Sequence, residues 1–228
     1  WQPEMKSYLS NIIAIVWKDL LLESRTKEVF LSIFIFSLLA VVTFNFAFDP
    51  TPSLVALIAP GILWVSIAFG AMLGLSRMFS IEMSSGGLDG ILLSPASRDA
   101  IFYGKFLSCF IFMALVEVLL VPAMVVFFDL NFNLLSLLVV SVLTLSGFSL
   151  VGTLFATISI NTKAREVMLP VLYLPIIAPL LISAVECTST ILHGHSIYDS
   201  SQWLGLLVLF DAVYVVATPF LFSLIASK

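Results

Sequence analysis

Long apolar intervals alternate with short charged segments along the whole chain. About 20 helical residues reach across the roughly 30 Å hydrocarbon layer of a bilayer, and six intervals are long enough to do so. Residues 134–145 are apolar or small throughout, whereas a membrane β-strand alternates apolar and polar positions. The pattern predicts an all-α membrane protein with six transmembrane helices. The predicted spans cover residues 29–48, 54–76, 106–128, 134–160, 167–185 and 203–227.

The composition agrees with a location in the membrane. The chain is 61% apolar and 11% charged, whereas soluble domains are about 45–50% apolar and about 25% charged. A mean hydropathy of +1.15 excludes disorder, and a pI near 5.0 excludes nucleic-acid binding, which needs a basic face. Residues 5–228 are predicted to form a single transmembrane domain. Residues 1–4 precede the first methionine and are interpreted as a cloning remnant.

Lysine and arginine are confined to alternate connections between the predicted spans. Four precede span 1, three lie between spans 2 and 3, two lie between spans 4 and 5, and one follows span 6. The remaining three connections contain neither residue. Because cytoplasmic loops retain the excess of these residues, both termini and the connections 2–3 and 4–5 are predicted to be cytoplasmic.

Residues 6–28 form an amphipathic segment before span 1. Their apolar residues recur at helical spacing, whereas charged residues occupy other positions around the helix. This pattern predicts a helix that lies in the plane of the membrane interface. The alternative is a simple anchor or an extension of span 1. The apolar positions are Leu9, Ile12, Ile13, Val16, Trp17, Leu20 and Leu21.

The connection between spans 2 and 3, residues 77–105, is predicted to be a compact helix-turn-helix. Ser84 to Gly87 breaks the helix that continues from span 2, Asp89 starts a second short helix, and Pro95 ends it. The segment contains too many apolar residues for a loop that faces water alone. We therefore predict a cytoplasmic docking surface for a soluble partner, and a solvated loop is the alternative.

Sequence motifs for catalysis are missing. The one Gly-Lys pair, Gly104-Lys105, has Asp99 where a P-loop has its first glycine and Phe106 where it has Ser or Thr. No zinc-protease motif and no C-x-x-C occurs. Cys109 and Cys187 should lie near opposite faces of the membrane, too far apart for a disulfide. We therefore predict that the chain is not an enzyme. We also predict that both cysteines are free thiols.

Two acids lie inside predicted spans. An acid in the middle of a membrane helix costs about 2.5–3.5 kcal/mol on insertion scales, so Glu117 and Asp211 are candidate functional groups. The alternative for each is a hydrogen bond between helices. His193 and His195 lie in the connection 5–6 and are weak candidates for a haem or metal contact, because imidazole ligates both. The alternative is a pair of solvated side chains.

Three prolines interrupt span 5. Pro170, Pro175 and Pro179 free backbone carbonyls that protein or a water-filled cavity must satisfy. The outer half of span 5, together with residues 186–202, is therefore a candidate re-entrant element. The alternative is a helix with kinks that have no part in transport.

Several segments together resemble the CcmB family, the permease subunits of the cytochrome c maturation haem exporter. CcmB proteins belong to the ABC-2 type transporters, which are type V exporter-like in architecture. The most specific segments are the A-P-G-I-x-W-V run in span 2 and the G-x-L-D-x-x-L-x-x-P segment after it. The resemblance runs from about residue 6 to the C-terminus. The residues that carry it are Ile58 to Val65, Arg77 to Phe79, Glu82, Gly87, Leu88, Asp89, Leu92, Leu93, Pro95, Lys105, Leu174, Pro175 and Pro179 to Ile182.

The resemblance implies a multi-pass protein of the bacterial inner membrane that works as a homodimer with two copies of a CcmA-like ATPase. It implies further partners that are CcmC-like, CcmD-like and CcmE-like, the last a periplasmic haem chaperone. Haem is then a cargo and not a bound cofactor, and ATP acts only through the partner subunit. The ATP-driven step either translocates haem or releases the haem-loaded chaperone. The residues implied to couple to the ATPase are Glu82, Gly87, Leu88, Asp89 and Pro95.

Two other functions remain compatible with the residues. One is an ABC-2 permease that exports a lipid, a glycan or a drug. The other is an ion-coupled secondary carrier that uses Glu117 and Asp211. Neither acid belongs to the pattern that carries the resemblance, and the same is true of His193 and His195.

Overall fold

The computed structural model describes residues 2–47, 52–84, 97–131, 133–159 and 165–225. These residues form α-helices joined by short connections, with no strand among them. The helices are α1 (Gln2–Thr26), α2 (Glu28–Ala47), α3 (Pro52–Ser84), α4 (Arg98–Phe128), α5 (Leu134–Ser159), α6 (Arg165–Leu192) and α7 (Ser201–Ile225), with a 3₁₀ turn at Ile197–Ser200 before α7.

Within the described part of the chain, six helical segments are long and apolar enough to cross a bilayer. The prediction of an all-α protein with six membrane-spanning helices is therefore confirmed. The segments are Glu28–Ala47, Leu57–Glu82, Arg98–Phe128, Leu134–Ile158, Leu169–Leu192 and Ile197–Pro219.

The helices on either side of the connection 2–3 are longer than predicted. α3 continues to Ser84, and α4 begins at Arg98, where the side chain of Ser97 accepts a hydrogen bond from the backbone N–H of Ala100. A span defined by the absence of charge stops at the first charged residue, whereas these helices carry Glu82 and Lys105 inside the folded protein. The helix predicted to continue from span 2 to Ser84 is confirmed, and residues 98–105, which were assigned to the connection, belong to α4.

A single residue separates α1 from α2. Lys27 adopts a left-handed conformation with φ 56°, so the helix axis changes direction there. The Glu23 carboxylate accepts hydrogen bonds from the backbone N–H groups of Phe30 (2.7 Å) and Val29 (3.3 Å), which are free at the start of α2. α1 is consequently a separate helix that packs along α4, and the alternative of an extension of span 1 is wrong.

α3 lies at the centre of the bundle, where it packs against α2, α4, α5 and α6. Its closest neighbour is α2, because Gly70 and Gly74 leave room for the Ile33 side chain. A Cβ atom at position 70 would lie 2.5 Å from Ser37 Oγ and 3.0 Å from the backbone oxygen of Ile33. Small residues that allow two backbones to approach are typical of helix pairs in membranes.

We predict that Gly70→Ala destabilises the protein although alanine is the better helix former. The added methyl group must push α3 away from the α2 backbone, and overpacking of this kind costs about 1–3 kcal/mol. Gly61→Ala is the matched control on the same helix, because a Cβ atom there meets nothing within 4 Å. Thermal unfolding in detergent should show a lower midpoint for Gly70→Ala alone. Equal midpoints for the two variants would contradict this account of the α2 and α3 contact.

The prolines of span 5 do not end the helix. α6 is continuous from Arg165 to Leu192 and contains Pro170, Pro175 and Pro179. Each proline removes one hydrogen bond from a helix that has many, and Pro175 and Pro179 are on its exposed side. Residues 186–192 belong to α6, so the structure differs from the re-entrant element that the prolines suggested. Whether the kinks at these prolines have a part in transport stays a prediction.

Candidate functional site

Four charged side chains meet where α1, α3 and α4 come together on the predicted cytoplasmic side. Lys18 and Asp19 come from α1, Glu82 from the last turn of α3, and Lys105 from a position two turns into α4. We call these four residues the lysine–acid cluster. Lys105 is 2% exposed and both acids are 6% exposed, whereas Lys18 is 36% exposed, so three members of the cluster are buried at the helix junction and Lys18 reaches its surface.

Lys105 is the central member of the lysine–acid cluster. Its Nζ atom lies 3.0 Å from both carboxylate oxygens of Asp19, and 2.7 Å and 2.6 Å from the two carboxylate oxygens of Glu82. Lys18 Nζ lies 2.6 Å from Glu82 Oε1 and 3.1 Å from Asp19 Oδ1. Two positive and two negative charges therefore balance, which is what makes burial of this many ionised groups tolerable.

The acids also determine the protonation of Lys18. Burial lowers the pKa of Lys18, but Asp19 and Glu82 raise it by more, so its pKa lies above the usual value for lysine. Lys18 therefore stays protonated at any physiological pH.

Close packing beside the cluster fixes α1 against α4. Gly104 precedes Lys105, and a Cβ atom at position 104 would lie 2.8 Å from the Cβ atom of Ile15. Ile15 is one helical turn before Asp19, so the Ile15 contact and the Asp19 ion pair lie on the same face of α1. α1 is consequently held to α4 by backbone proximity and by charge together.

Two faces of α1 differ in exposure, and the amphipathic pattern of the sequence did not distinguish them. One face is buried against the bundle and contains both apolar and acidic residues: Ile12, Ile15, Asp19 and Glu23. The other face is apolar and exposed: Leu9, Ile13, Trp17 and Leu21. The second face is available to a membrane interface, and the interfacial location of α1 stays a prediction.

Of the residues predicted to couple to an ATPase, Glu82 lies in the lysine–acid cluster. Gly87, Leu88, Asp89 and Pro95 lie outside the described residues. Sequence reasoning missed Asp19 and Lys18, because both were assigned to the solvated side of an interfacial helix. It placed Lys105 at the end of the connection 2–3, whereas the structure buries it inside α4. The sequence did contain a signal for the start of α4. Ser97 is a helix-capping residue, and Asp99 is an acid in the first turn.

A second ion pair joins α2 to α3 at the surface. Arg77 Nη2 lies 2.6 Å from Glu28 Oε2, and Arg77 Nε donates to the same oxygen at 2.9 Å. The two side chains are 54% and 42% exposed. Solvent-exposed pairs contribute little to stability, so this pair is a useful contrast to the buried cluster.

Both intramembrane acids bind serine side chains of α5. Ser141 donates to Glu117 of α4, and Ser146 donates to Asp211 of α7. Glu117 also lines a bilayer-facing groove of about 440 Å³ between α4 and α5, whose other lining residues are almost all apolar. The geometry is that of hydrogen bonds between helices, and a functional role for either acid stays a prediction.

The remaining candidates lie apart from the lysine–acid cluster. His193 and His195 are exposed in the turn after α6, and His193 Nδ1 lies 2.7 Å from the backbone oxygen of Ser189. Within the described ranges, no group of three or more His, Cys, Asp or Glu side chains could hold a metal ion. Cys109 and Cys187 are buried free thiols, as predicted.

A buried hydrogen bond links α3 to α6 in the half of the bundle opposite the cluster. Trp64 is fully buried, and its Nε1 donates to Oγ1 of Thr188 at 2.8 Å. Trp64 and Glu82 are 18 residues apart on one continuous helix, which corresponds to about 27 Å along its axis. α3 therefore connects the lysine–acid cluster on one side of the membrane to α6 on the other.

Comparison with known proteins gives one consistent result. A family model described as "CcmB protein" matches residues 10–226. The "Heme exporter protein B" of Rhodobacter capsulatus is 31% identical over 174 residues, which cover 76% of this chain and 80% of that protein. The protein of the same name from Pseudomonas aeruginosa is 26% identical over 187 residues, 82% of each chain. The Escherichia coli K12 protein is 33% identical over a shorter stretch of 73 residues.

Proposed function

The chain belongs to the CcmB family, and from this premise we propose that it is the membrane-spanning permease subunit of an ABC transporter for haem export and cytochrome c maturation. The observation that carries the proposal is the family match over residues 10–226, which covers all six membrane-spanning segments found in the described residues. Relatives named "Heme exporter protein B" support haem as the exported species.

The proposal includes a separate ATPase, because the sequence contains no P-loop of its own. In this mechanism two CcmA-like subunits bind a homodimer of the chain at the connections between α3 and α4, which contain Gly87, Leu88, Asp89 and Pro95. ATP-driven closure of the ATPases moves these connections. The support for this step is that α3 and α4 both lead into the connection and are joined at its base by Glu82 and Lys105.

The movement then passes across the membrane along α3. Its support is the continuity of the helix from Pro52 to Ser84 and the hydrogen bond from Trp64 to Thr188 of α6. On the outer side the movement either translocates haem or releases a haem-loaded CcmE-like chaperone, in association with CcmC-like and CcmD-like proteins. The complex acts in the bacterial inner membrane. A conformational change can be coupled to ATP only if the ATPase interacts differently with the two states of the permease.

Haem staining of c-type cytochromes tests this function directly. We predict that deletion of the gene removes all stained bands and that a plasmid-borne copy restores them. An immunoblot of the apocytochromes shows whether those proteins are still made, and an empty plasmid is the control. Normal staining in the deletion strain would contradict a role in cytochrome c maturation and favour an ABC-2 permease with another cargo. Staining that persists in a strain without the cognate ATPase would favour an ion-coupled carrier.

A further inference from the structure

We propose that α1 is a working part of the coupling element and that Asp19 and Lys105 are positioning residues for the ATP-driven movement. Together with Lys18 and Glu82 they make the ends of α1, α3 and α4 move as one body. This inference rests on the proposed function, since it concerns how motion from the α3–α4 connection reaches the rest of the permease.

The first argument is the geometry of the ion pairs. Lys105 of α4 contacts the acid of α1 and the acid of α3 at the same time, and Lys18 of α1 contacts the acid of α3. Each of the three helices is therefore linked to both others by a charged contact of 3.0 Å or less. A displacement of the end of α3 cannot occur without either moving α1 and α4 or separating buried opposite charges.

The second argument is that α1 has few other attachments to the bundle. α1 is joined to α2 by the single residue Lys27 and makes few contacts with that helix, whereas it packs along α4. The contact between Ile15 and Gly104 leaves no space for α1 to slide over α4. The link between α1 and span 1 is therefore local: it consists of Lys27 and the hydrogen bonds that the Glu23 carboxylate accepts from Val29 and Phe30.

The third argument comes from the outward face of α1. Leu9, Ile13, Trp17 and Leu21 are between 41% and 66% exposed and lie on a different side of α1 from Asp19. An apolar helix face with a central tryptophan is suited to the boundary between headgroups and acyl chains. With this face in the interface, α1 resists movement into or out of the membrane plane. Because α1 is held in this way, a force on the end of α3 is directed along the bundle.

The fourth argument concerns why these residues are charged. A buried ion cluster can often be replaced by neutral residues of similar volume without loss of stability, whereas removal of one partner leaves a buried charge without compensation. Stability alone therefore does not require Asp19 and Lys105 to be ionised. A charged junction keeps its three helices in one register, because any other arrangement would separate opposite charges in a poorly solvated site.

The test is the double variant Asp19→Asn/Lys105→Met. It removes one charge of each sign and leaves Lys18 paired with Glu82, so the buried cluster stays neutral. We expect the variant to be present in the membrane at a level within about twofold of wild type and to leave ATP hydrolysis by the complete complex unchanged. Cytochrome c formation should fall by about tenfold, which lies within the usual range of coupling between sites. The readout is the ratio of cytochrome c formed to ATP hydrolysed.

Matched variants separate this role from a general effect of charge. Glu28→Gln/Arg77→Met also removes one charge of each sign, from the exposed pair between α2 and α3, and should retain wild-type coupling. Asp19→Glu keeps the negative charge on α1 and should retain most of the activity. If the double variant does not accumulate, Lys18→Met/Asp19→Asn decides the question, because it also removes one charge of each sign and leaves Lys105 paired with Glu82.

Two outcomes would overturn the inference. One is wild-type cytochrome c formation by the double variant, or by Lys18→Met/Asp19→Asn where the first double variant does not accumulate. The other is an equal loss in Glu28→Gln/Arg77→Met. Failure of the proposed function looks different, because the deletion strain would then stain normally for c-type cytochromes whichever variant the plasmid carries.

Discussion

Lys105→Met alone should destabilise the protein by about 3–5 kcal/mol, the cost of removing one partner from a buried ion pair. Asp19 and Glu82 would then face each other at the junction of α1, α3 and α4 with Lys18 as their one remaining partner in the cluster. At about 2–4 °C per kcal/mol for a protein of this size, the midpoint of thermal unfolding in detergent should fall by roughly 10 °C.

The same measurement on Asp19→Asn/Lys105→Met provides the comparison. Removal of the uncompensated acid should restore most of the lost stability, so the two substitutions should be strongly non-additive. A midpoint for Lys105→Met within about 2 °C of wild type would contradict the assignment of Lys105 as the central charge, since one kcal/mol alone shifts it by that much. Arg77→Met, at the exposed pair, should have almost no effect.

Trp64→Ala is expected to cost about 3–5 kcal/mol, because it leaves a large cavity in the centre of the bundle. Trp64 is fully buried on the most central helix, and it packs where α3 meets α6. Trp203→Ala is the control, because that tryptophan is 36% exposed at the start of α7. Thermal unfolding of the two variants in detergent should therefore give a large shift for Trp64 and a small one for Trp203.

The hydrogen bond of Trp64 can be measured apart from its packing. Trp64→Phe keeps an aromatic ring but leaves Thr188 without its donor, and Thr188→Val removes the acceptor. The double-mutant cycle should give a coupling of about 0.5–1.5 kcal/mol, the net contribution of a typical buried hydrogen bond. A coupling near zero would show that the α3 and α6 contact is held by packing alone.

The spans could be predicted from the sequence because lipid imposes a simple requirement on composition. Residues 134–160, for example, contain no charge and become α5 with nearly the predicted bounds. The same rule placed the start of span 3 too late, because it treats every charge as a boundary. Lys105 is buried through partners that lie far away in the chain, and no local pattern identifies partners at that distance. Ser97 was the available local signal for the true start of α4.

The candidate site was predictable only in part. Glu82 was identified through the family resemblance, but Asp19 was not, because an acid on an amphipathic helix ordinarily faces water. The structure buries Asp19 for a tertiary reason, the docking of α1 on α4 at Gly104 and Lys105. Glu117 and Asp211 were found as acids within apolar intervals, whereas their serine partners on α5 could not be chosen among the many small polar residues of the spans.

The separation of the cluster residues along the chain has a consequence for how the protein is made. Asp19 and Lys105 are 86 positions apart, and Lys18 and Glu82 are 64 apart. The ribosome therefore delivers α1 long before α4, and a nascent chain with only two spans inserted contains Asp19 without its lysine on α4. Docking of α1 on α4 consequently has to wait until the third of the six spans has been made.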